Sequence, residues 1–258
     1  MIKAVFFDID GTLVSFKTHK LPDSTVRALD LLREKGIKVF IATGRQLQSI
    51  NNLGTQEFDG YVTLNGGYCL AGKDKVIYKH NIPSGDIEAL IRYQENEEAF
   101  PCALVEEDGI YQNYVDDSVR QLYDMLDFPH PPLRPLRGNG GKEVYQLIAF
   151  FSPGHEERIM SVLPHCEATR WNTLFADVVP RGSSKAVGID KIIEYYGISL
   201  HETMAFGDGG NDMAMLCHAG IGVAMGNAGD EVKEASDYVT DSVDDDGVMN
   251  ALRHFDVI

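Results

Sequence analysis

Residues 4–12 of this 258-residue chain read AVFFDIDGT, an apolar run that ends in two aspartates, a glycine and a threonine. Short apolar runs rich in Val, Phe and Ile that end at turn residues are typical of strands buried on both faces. Side chains at i and i+2 of an extended chain point to the same side, so the run predicts Asp8 and Asp10 side by side at a strand end. Adjacent carboxylates repel each other, so the pair indicates a charged turn, or else a site of metal binding or catalysis.

The sequence on either side of this stretch alternates between strand and helix patterns. Beyond residues 4–9, strands are predicted over 37–42, 60–64, 203–207, 221–225 and 238–240. Helices are predicted between them over 24–35, 46–53, 185–196, 212–219, 231–235 and 247–255. This alternation implies right-handed crossovers, so we expect an α/β, Rossmann-like core with a parallel sheet.

Residues 82–180 follow a different pattern. They contain four prolines between 129 and 135 and a glycine-rich turn at 138–141. A strand-like run covers 144–151, and helical patterns cover 85–96 and 155–163. We interpret this segment as an inserted α+β domain, with residues 1–81 and 181–258 forming the core and hinges near 81–85 and 179–182.

Composition narrows the possible functions. The formal net charge of -16 disfavours binding to nucleic acid or to an anionic membrane surface. The four cysteines, at 69, 102, 166 and 217, form no CxxC pair and indicate reduced thiols. The N-terminus has no signal-peptide pattern, and no apolar stretch reaches the ~20 residues that span a bilayer. We therefore expect a soluble, cytoplasmic protein, and its oligomeric state stays open.

Polar residues follow several of the predicted strands. Thr43 and Gly44 come after the strand over 37–42, and Asp208 comes after the strand over 203–207. Lys185 begins a predicted helix. Because ligands of open parallel sheets bind outside the carboxyl ends of the strands, we expect these residues to converge with Asp8. The chain has no P-loop, and the glycines at 220–226 have the wrong spacing for a dinucleotide loop, so no nucleotide cofactor is expected.

Four short motifs occur in a fixed order along the chain. They read DIDGT at 8–12, ATGR at 42–45, GSSK at 182–185 and GDGGND at 207–212, with a minor LNG signature at 64–66. In these motifs and in the inserted domain, the sequence resembles the haloacid dehalogenase (HAD) superfamily, within its Cof-type phosphatase branch with a type IIB cap. Ala186 stands where the family often has glycine, but Lys185 is retained.

The resemblance implies a phosphatase that depends on Mg²⁺. Asp8 would be the nucleophile and form an aspartyl-phosphate, and Asp10 would act as general acid and base. The metal ligands would be the carboxylates of Asp8 and Asp208 and the main-chain carbonyl of Asp10.

The remaining motif residues are expected to serve the phosphate. Thr43, Gly44, Lys185 and Asn211 would hold the transferring phosphoryl group. Asp212 would orient a metal-bound water or Lys185 from just outside, and Thr12 would also lie just outside the metal ligands.

The sequence predicts the type of reaction, but only a broad class of substrate. Family analogy favours small phosphate esters, with sugar phosphates first. The inserted domain is expected to close over the substrate and select the alcohol, using members of a set of polar and aromatic residues: Glu106, Asp108, Asn113, Tyr145, Trp171, Asn172 and Asp177. Two alternatives stay open, a phosphosugar mutase of the same superfamily and a non-catalytic sensor of a metal or ligand.

Overall fold

The computed structural model describes residues 1–126, 129–170 and 172–258. It divides into two compact units, one made of residues 1–79 and 183–258 and the other of residues 80–182. Trp171, a candidate for substrate selection, lies outside the described residues.

The described strands, in chain order, are β1 (Ala4–Phe7), β2 (Lys38–Ala42), β3 (Gly60–Thr63), β4 (Tyr68–Ala71), β5 (Lys75–Lys79), β6 (Cys102–Glu106), β7 (Gly109–Gln112), β8 (Val144–Ala149), β9 (Cys166–Thr169), β10 (Ala176–Pro180), β11 (Thr203–Gly207), β12 (Ile221–Ala224) and β13 (Tyr238–Val239). The described α-helices are α1 (Asp23–Glu34), α2 (Ser84–Asn96), α3 (Asp117–Leu126), α4 (Glu156–Met160), α5 (Lys185–Tyr196), α6 (Met213–His218), α7 (Asp230–Glu234) and α8 (Gly247–His254).

The first unit is built on one sheet in the order β13-β12-β11-β1-β2-β3-β4-β5. The strands from β13 to β3 pair in parallel, and β4 and β5 add an antiparallel hairpin at one edge. The predicted fold class, an α/β parallel-sheet core with an inserted α+β domain, is confirmed. Strand β1 lies at the centre, which explains why its four residues are all apolar and buried.

Aromatic side chains of neighbouring central strands stack on one another. The Phe6 ring stacks on Phe40 of β2 at 4.8 Å between centroids, and Phe7 stacks on Phe206 of β11 at 4.9 Å. Burying one such side chain stabilises the fold by roughly 1.5–3 kcal/mol. Strands β11, β1 and β2 are therefore packed firmly against one another, so the loops that follow them start from defined positions.

The second unit is a five-stranded antiparallel sheet in the order β7-β6-β8-β10-β9. Its larger apolar cluster joins α2 and α4 to the sheet, and a smaller cluster joins α3 to Phe150 and Phe175. Within the described residues, no helix is long and apolar enough to cross a membrane.

Two predicted helices differ from the structure. The helix predicted over 46–53 is wrong, because only a single 3₁₀ turn forms there, at Leu47–Ser49. Two asparagines and a glycine follow at 51, 52 and 54, and these residues have low helix propensity. The helix predicted over 155–163 is shorter, ending at Met160.

Candidate active site

The site lies where the central parallel strands end. Asp8 follows β1 directly, Thr43 follows β2, and Asp208 follows β11. Since β11, β1 and β2 are neighbours and run in parallel, their carboxyl ends meet at one edge of the sheet.

Three carboxyl groups form a cluster at this edge. Asp8, Asp208 and Asp212 each offer a carboxylate oxygen, and these oxygens lie within 4.8 Å of one another. Asp8 and Asp212 are buried, and Asp208 is partly exposed. Buried carboxylates this close repel each other strongly unless positive charge lies between them.

Lys185 supplies one positive charge to the cluster. Its side chain is completely buried, and its Nζ donates to Asp8 Oδ1 at 2.7 Å and to Asp212 Oδ1 at 2.5 Å. Burial alone lowers the pKa of Lys185, but Asp212 and Asp8 outweigh it and hold that pKa above its usual range. Lys185 therefore stays charged.

The local sequence fixes Lys185 in place. It is the first residue of α5, and the Ser184 hydroxyl before it accepts a hydrogen bond from the Val187 backbone N–H. Serine is a preferred residue at this capping position. A cation in the first turn of a helix is unfavourable by itself, so the two carboxylates also offset the helix dipole.

One ammonium does not neutralise three carboxyl groups. Burial, opposed by Lys185, raises the pKa of Asp8 to about 7. Burial, and to a smaller extent repulsion from Asp8 and Asp212, raises the pKa of Asp208 to about 8. The site therefore has less positive charge than its three carboxyl groups need. Its oxygen donors are of the kind that Mg²⁺ prefers, so these residues fit a divalent cation.

Asp208 is held from two sides. Thr12 Oγ1 donates to Asp208 Oδ1 at 2.8 Å, and Asn227 Nδ2 donates to Asp208 Oδ2 at 3.3 Å and to the Gly11 carbonyl at 2.9 Å. Gly11 has a φ of +85°, and a Cβ there would lie 2.2 Å from Asp208 Oδ2. Glycine at position 11 is thus required both by the turn and by the close approach of Asp208.

Asp212 has a different environment from the other two carboxylates. Its Oδ2 accepts the backbone N–H groups of Asp208 and Gly209, each at 2.9 Å, while its Oδ1 binds Lys185. Both oxygens of Asp212 are thus used in hydrogen bonds, and these bonds hold Lys185 and the backbone of Asp208 and Gly209 in place.

Asp10 lies outside the carboxylate cluster and is bound by Arg45. Arg45 Nε donates to Asp10 Oδ2 at 2.7 Å, and its second terminal nitrogen donates to Asp10 Oδ1 at 2.5 Å. This bidentate geometry is a strong form of arginine–carboxylate hydrogen bonding. Arg45 also donates to the Ser49 carbonyl at 3.2 Å, which fastens the loop after β2.

Thr43 lies in the loop after β2 and is buried. Its hydroxyl accepts a hydrogen bond from the Arg45 backbone N–H at 3.1 Å. Asn211 lies on the other side of the site, and its Nδ2 donates to Asn65 Oδ1 at 3.0 Å. The phosphate contacts assigned to Thr43, Gly44 and Asn211 stay predictions.

Several of the polar candidates in the second unit hold that unit together. Glu106 is buried and paired with Arg134. Asn113 donates to the Phe100 carbonyl and accepts the Cys102 backbone N–H, so it joins two parts of the fold. Asp108 pairs with Lys142 at the surface.

Three residues of the site were given no role from the sequence. Arg45 and Asn65 stand inside the quoted ATGR and LNG motifs, so the motifs carried a signal for both. Asn227 contacts Gly11 across 216 positions of sequence, and no local pattern marks it.

Comparison with known proteins places the chain in a family. A family model described as a haloacid dehalogenase-like hydrolase matches residues 5–252. The putative phosphatase YkrA of Bacillus subtilis (strain 168) is 36% identical over 261 residues, which cover 99% of this chain and 98% of YkrA.

Solved structures agree with this relationship. The HAD subclass IIB sugar phosphatase BT4131 is 46% identical, with a TM-score of 0.93 and coverage of 99% of this chain and 100% of that chain. The phosphatase BT1666 from Bacteroides thetaiotaomicron is 41% identical, with a TM-score of 0.93 and coverage of 100% and 96%. The chain therefore belongs to the haloacid dehalogenase-like hydrolases, in the Cof-type branch of phosphatases.

Proposed function

We propose that this protein is a magnesium-dependent phosphatase that hydrolyses small phosphate monoesters, with sugar phosphates as the preferred class, through an aspartyl-phosphate on Asp8. The observation that carries the proposal is the buried cluster of Asp8, Asp208 and Asp212 around a single ammonium, Lys185. The similarity to a sugar phosphatase at 46% identity supports the substrate class.

Mg²⁺ would be held by the carboxylates of Asp8 and Asp208 and by the main-chain carbonyl of Asp10. When bound, the ion offsets the negative charge of the phosphoryl group and of the nucleophile. Asp212 is less suited as a ligand, because Lys185 and two backbone N–H groups already use its oxygens.

Asp8 is oriented for attack by its contact with Lys185. The ammonium binds Oδ1 at 2.7 Å, which leaves Oδ2 to form the new bond to phosphorus while the bond to the ester oxygen breaks. Lys185 also stands beside the position where charge builds up on the transferring group, together with the Thr43 hydroxyl and the Gly44 N–H.

Asp10 would give a proton to the leaving alcohol oxygen and then remove one from the hydrolytic water. Both oxygens of Asp10 accept hydrogen bonds from the Arg45 guanidinium. The acid step needs a proton on Asp10, so we expect this contact to loosen when substrate binds.

The second unit is proposed to select the alcohol. Glu106, Asn113 and Asp108 make contacts within that unit, so those of them that contact substrate would exchange these contacts for new ones.

The experiment is a phosphate-release screen over many phosphorylated metabolites, with Mg²⁺ and with EDTA. We expect release from sugar phosphates that requires Mg²⁺. Absence of release from every ester would contradict the proposal, and so would conversion of a hexose 1-phosphate to its 6-phosphate without free phosphate.

A further inference from the structure

The Asn65 side chain holds a buried hydrogen-bond donor that has no use within the fold. Asn65 is 3% exposed, and its Oδ1 accepts from Asn211. Its Nδ2 has no hydrogen-bond partner among the described residues. A buried polar group left without a partner destabilises the fold, so this donor calls for an acceptor.

The backbone around this donor is strained as well. Leu64 has a φ of 52° and Asn65 a φ of 51°, so two consecutive residues with a Cβ lie in the left-handed region. This conformation is unfavourable for residues with a Cβ, although asparagine tolerates it better than leucine. Strain of this kind occurs where the surrounding structure enforces it, often at functional sites.

The turn is enclosed by the elements that carry the site. A Cβ on Gly66 would lie 1.9 Å from the carbonyl oxygen of Ser184, the residue before Lys185. The Asn65 backbone N–H donates to the Thr43 carbonyl at 3.1 Å. The turn is therefore fixed between the start of α5 and the loop after β2.

The free donor lies against the loop predicted to bind phosphate. A Cβ built on Gly44 would lie 3.2 Å from Asn65 Nδ2 and equally far from Asn65 Oδ1, so the whole amide faces Gly44. Because Asn211 donates to Asn65 Oδ1, the amide is fixed with Oδ1 toward Asn211 and leaves Nδ2 for another acceptor. No described residue supplies that acceptor, so Nδ2 is available to a bound ligand.

We propose that Asn65 binds the substrate phosphate, its Nδ2 donating to a non-bridging oxygen of the transferring phosphoryl group. The proposal rests on the phosphatase function proposed above. Asn211 then acts partly through Asn65, since it sets the direction of the Asn65 amide. An anionic phosphoryl oxygen satisfies the buried donor, and the strained turn keeps the donor in place before substrate arrives.

The test uses two substitutions that distinguish the effect of losing the amide donor from the effect of changing the backbone conformation. Asn65→Gly removes the amide and adopts the left-handed conformation without strain. Asn65→Asp keeps the size of the side chain but replaces the donor by an acceptor with negative charge. The control is Asp256→Gly, at an exposed residue that also has a positive φ, of 53°.

The measured quantities are kcat, KM and the inhibition constant of orthovanadate, all at saturating Mg²⁺, with the melting temperature as a check on folding. Loss of one donor of this type lowers kcat by about 10²–10³-fold in other enzymes. We expect Asn65→Gly to lower kcat/KM at least ~10-fold and to weaken vanadate inhibition by a similar factor. Asn65→Asp should do so more strongly, and Asp256→Gly should change neither.

The outcomes separate this inference from the proposed function. If the wild-type protein releases no phosphate from any ester, the proposed function fails and this inference fails with it. If the wild type is active and a folded Asn65→Gly variant keeps kcat/KM and the vanadate constant within twofold, only the role of Asn65 is overturned. If Asn65→Gly does not fold, the same criterion applies to Asn65→Asp.

Discussion

The two aspartates of the first motif differ because they have different cationic partners. Asp8 Oδ1 accepts from the Lys185 ammonium, which Asp8 shares with Asp212, and no side chain of the described residues donates to Asp8 Oδ2. Asp10 is bound by Arg45 through both oxygens. In the proposed mechanism, Asp8 would bind the metal and attack phosphorus, and Asp10 would transfer protons.

Lys185 is predicted to be essential for stability as well as for activity. Removing one partner of a buried ion pair costs about 3–5 kcal/mol, because the remaining charge is left unpaired. Lys185→Ala should therefore lower the free energy of unfolding by that order and abolish phosphate release. The measurement is urea unfolding in EDTA together with a phosphate-release assay.

The matched control is Lys191→Ala on the same helix. Lys191 is partly exposed and pairs with Glu194 at 3.8 Å, and exposed pairs of this kind contribute about 0–1 kcal/mol. Equal losses of stability for the two variants would contradict the special position of Lys185.

Asp10→Ala tests proton transfer to the leaving group. We expect a heavy loss of kcat/KM with alkyl phosphates and a milder loss with an aryl phosphate, whose leaving group needs no proton. Steady-state kinetics with a hexose phosphate and p-nitrophenyl phosphate measure the difference. Equal losses on both substrates would exclude the acid role of Asp10.

At the scale of elements, the turn after β1 is shaped by the need to bring Asp208 close. Gly11→Ala places a Cβ 2.2 Å from Asp208 Oδ2 at a φ of +85°. We expect this variant to displace Asp208 and to raise the Mg²⁺ concentration needed for half-maximal activity at least ~10-fold, since displaced ligand-positioning contacts typically lower metal affinity 10–100-fold.

Gly54→Ala separates backbone strain from the clash. Gly54 also has a positive φ, of +59°, but no atom lies within 4 Å of the position of its Cβ. This variant should lose about 1–2 kcal/mol of stability from strain and keep its Mg²⁺ dependence. If both variants showed the same metal dependence, the approach of Asp208 to Gly11 would have no bearing on metal binding.

Helices and strands with local signals were predictable from the sequence. The helix over 185–196 has its predicted bounds, because Ser184 caps its start and Gly197 adopts the left-handed conformation at its end. The helix predicted over 46–53 is wrong, and the contact between Arg45 and the Ser49 carbonyl in this loop forms only in the folded protein. The hairpin of β4 and β5 was also missed.

At the scale of the whole molecule, the thiols lie in contrasting environments. Burial raises the pKa of Cys69, Cys102 and Cys166 to about 12. Cys217 is exposed. We expect one fast-reacting thiol with a disulfide reagent at pH 8 and four in denaturant, and no fast thiol in Cys217→Ser. Two or more fast thiols in the native protein would contradict this burial.

The same pKa values set a pH dependence of stability. A thiol whose pKa is higher in the folded state than in the unfolded chain keeps its proton on folding, so the unfolded chain is favoured once its own thiols ionise. The free energy of unfolding should therefore fall as the pH rises from about 9 toward 12, as measured by urea unfolding across that range. A flat profile up to pH 11 would contradict the shift.

The motif residues of the site were predictable because they follow strands that the sequence identifies. Their supporting partners were not, since Asn227 meets Gly11 across 216 positions and Arg45 meets Asp10 across 35. Such contacts depend on how the whole sheet is ordered.

The most direct test of the account is phosphate release by Asp8→Asn beside the wild type, on the best substrate and in Mg²⁺. Asparagine keeps the shape of the side chain but cannot form the aspartyl-phosphate. We expect full Mg²⁺-dependent release by the wild type and none above background by Asp8→Asn, with both proteins folded by circular dichroism. Release by Asp8→Asn at a rate near that of the wild type would contradict it.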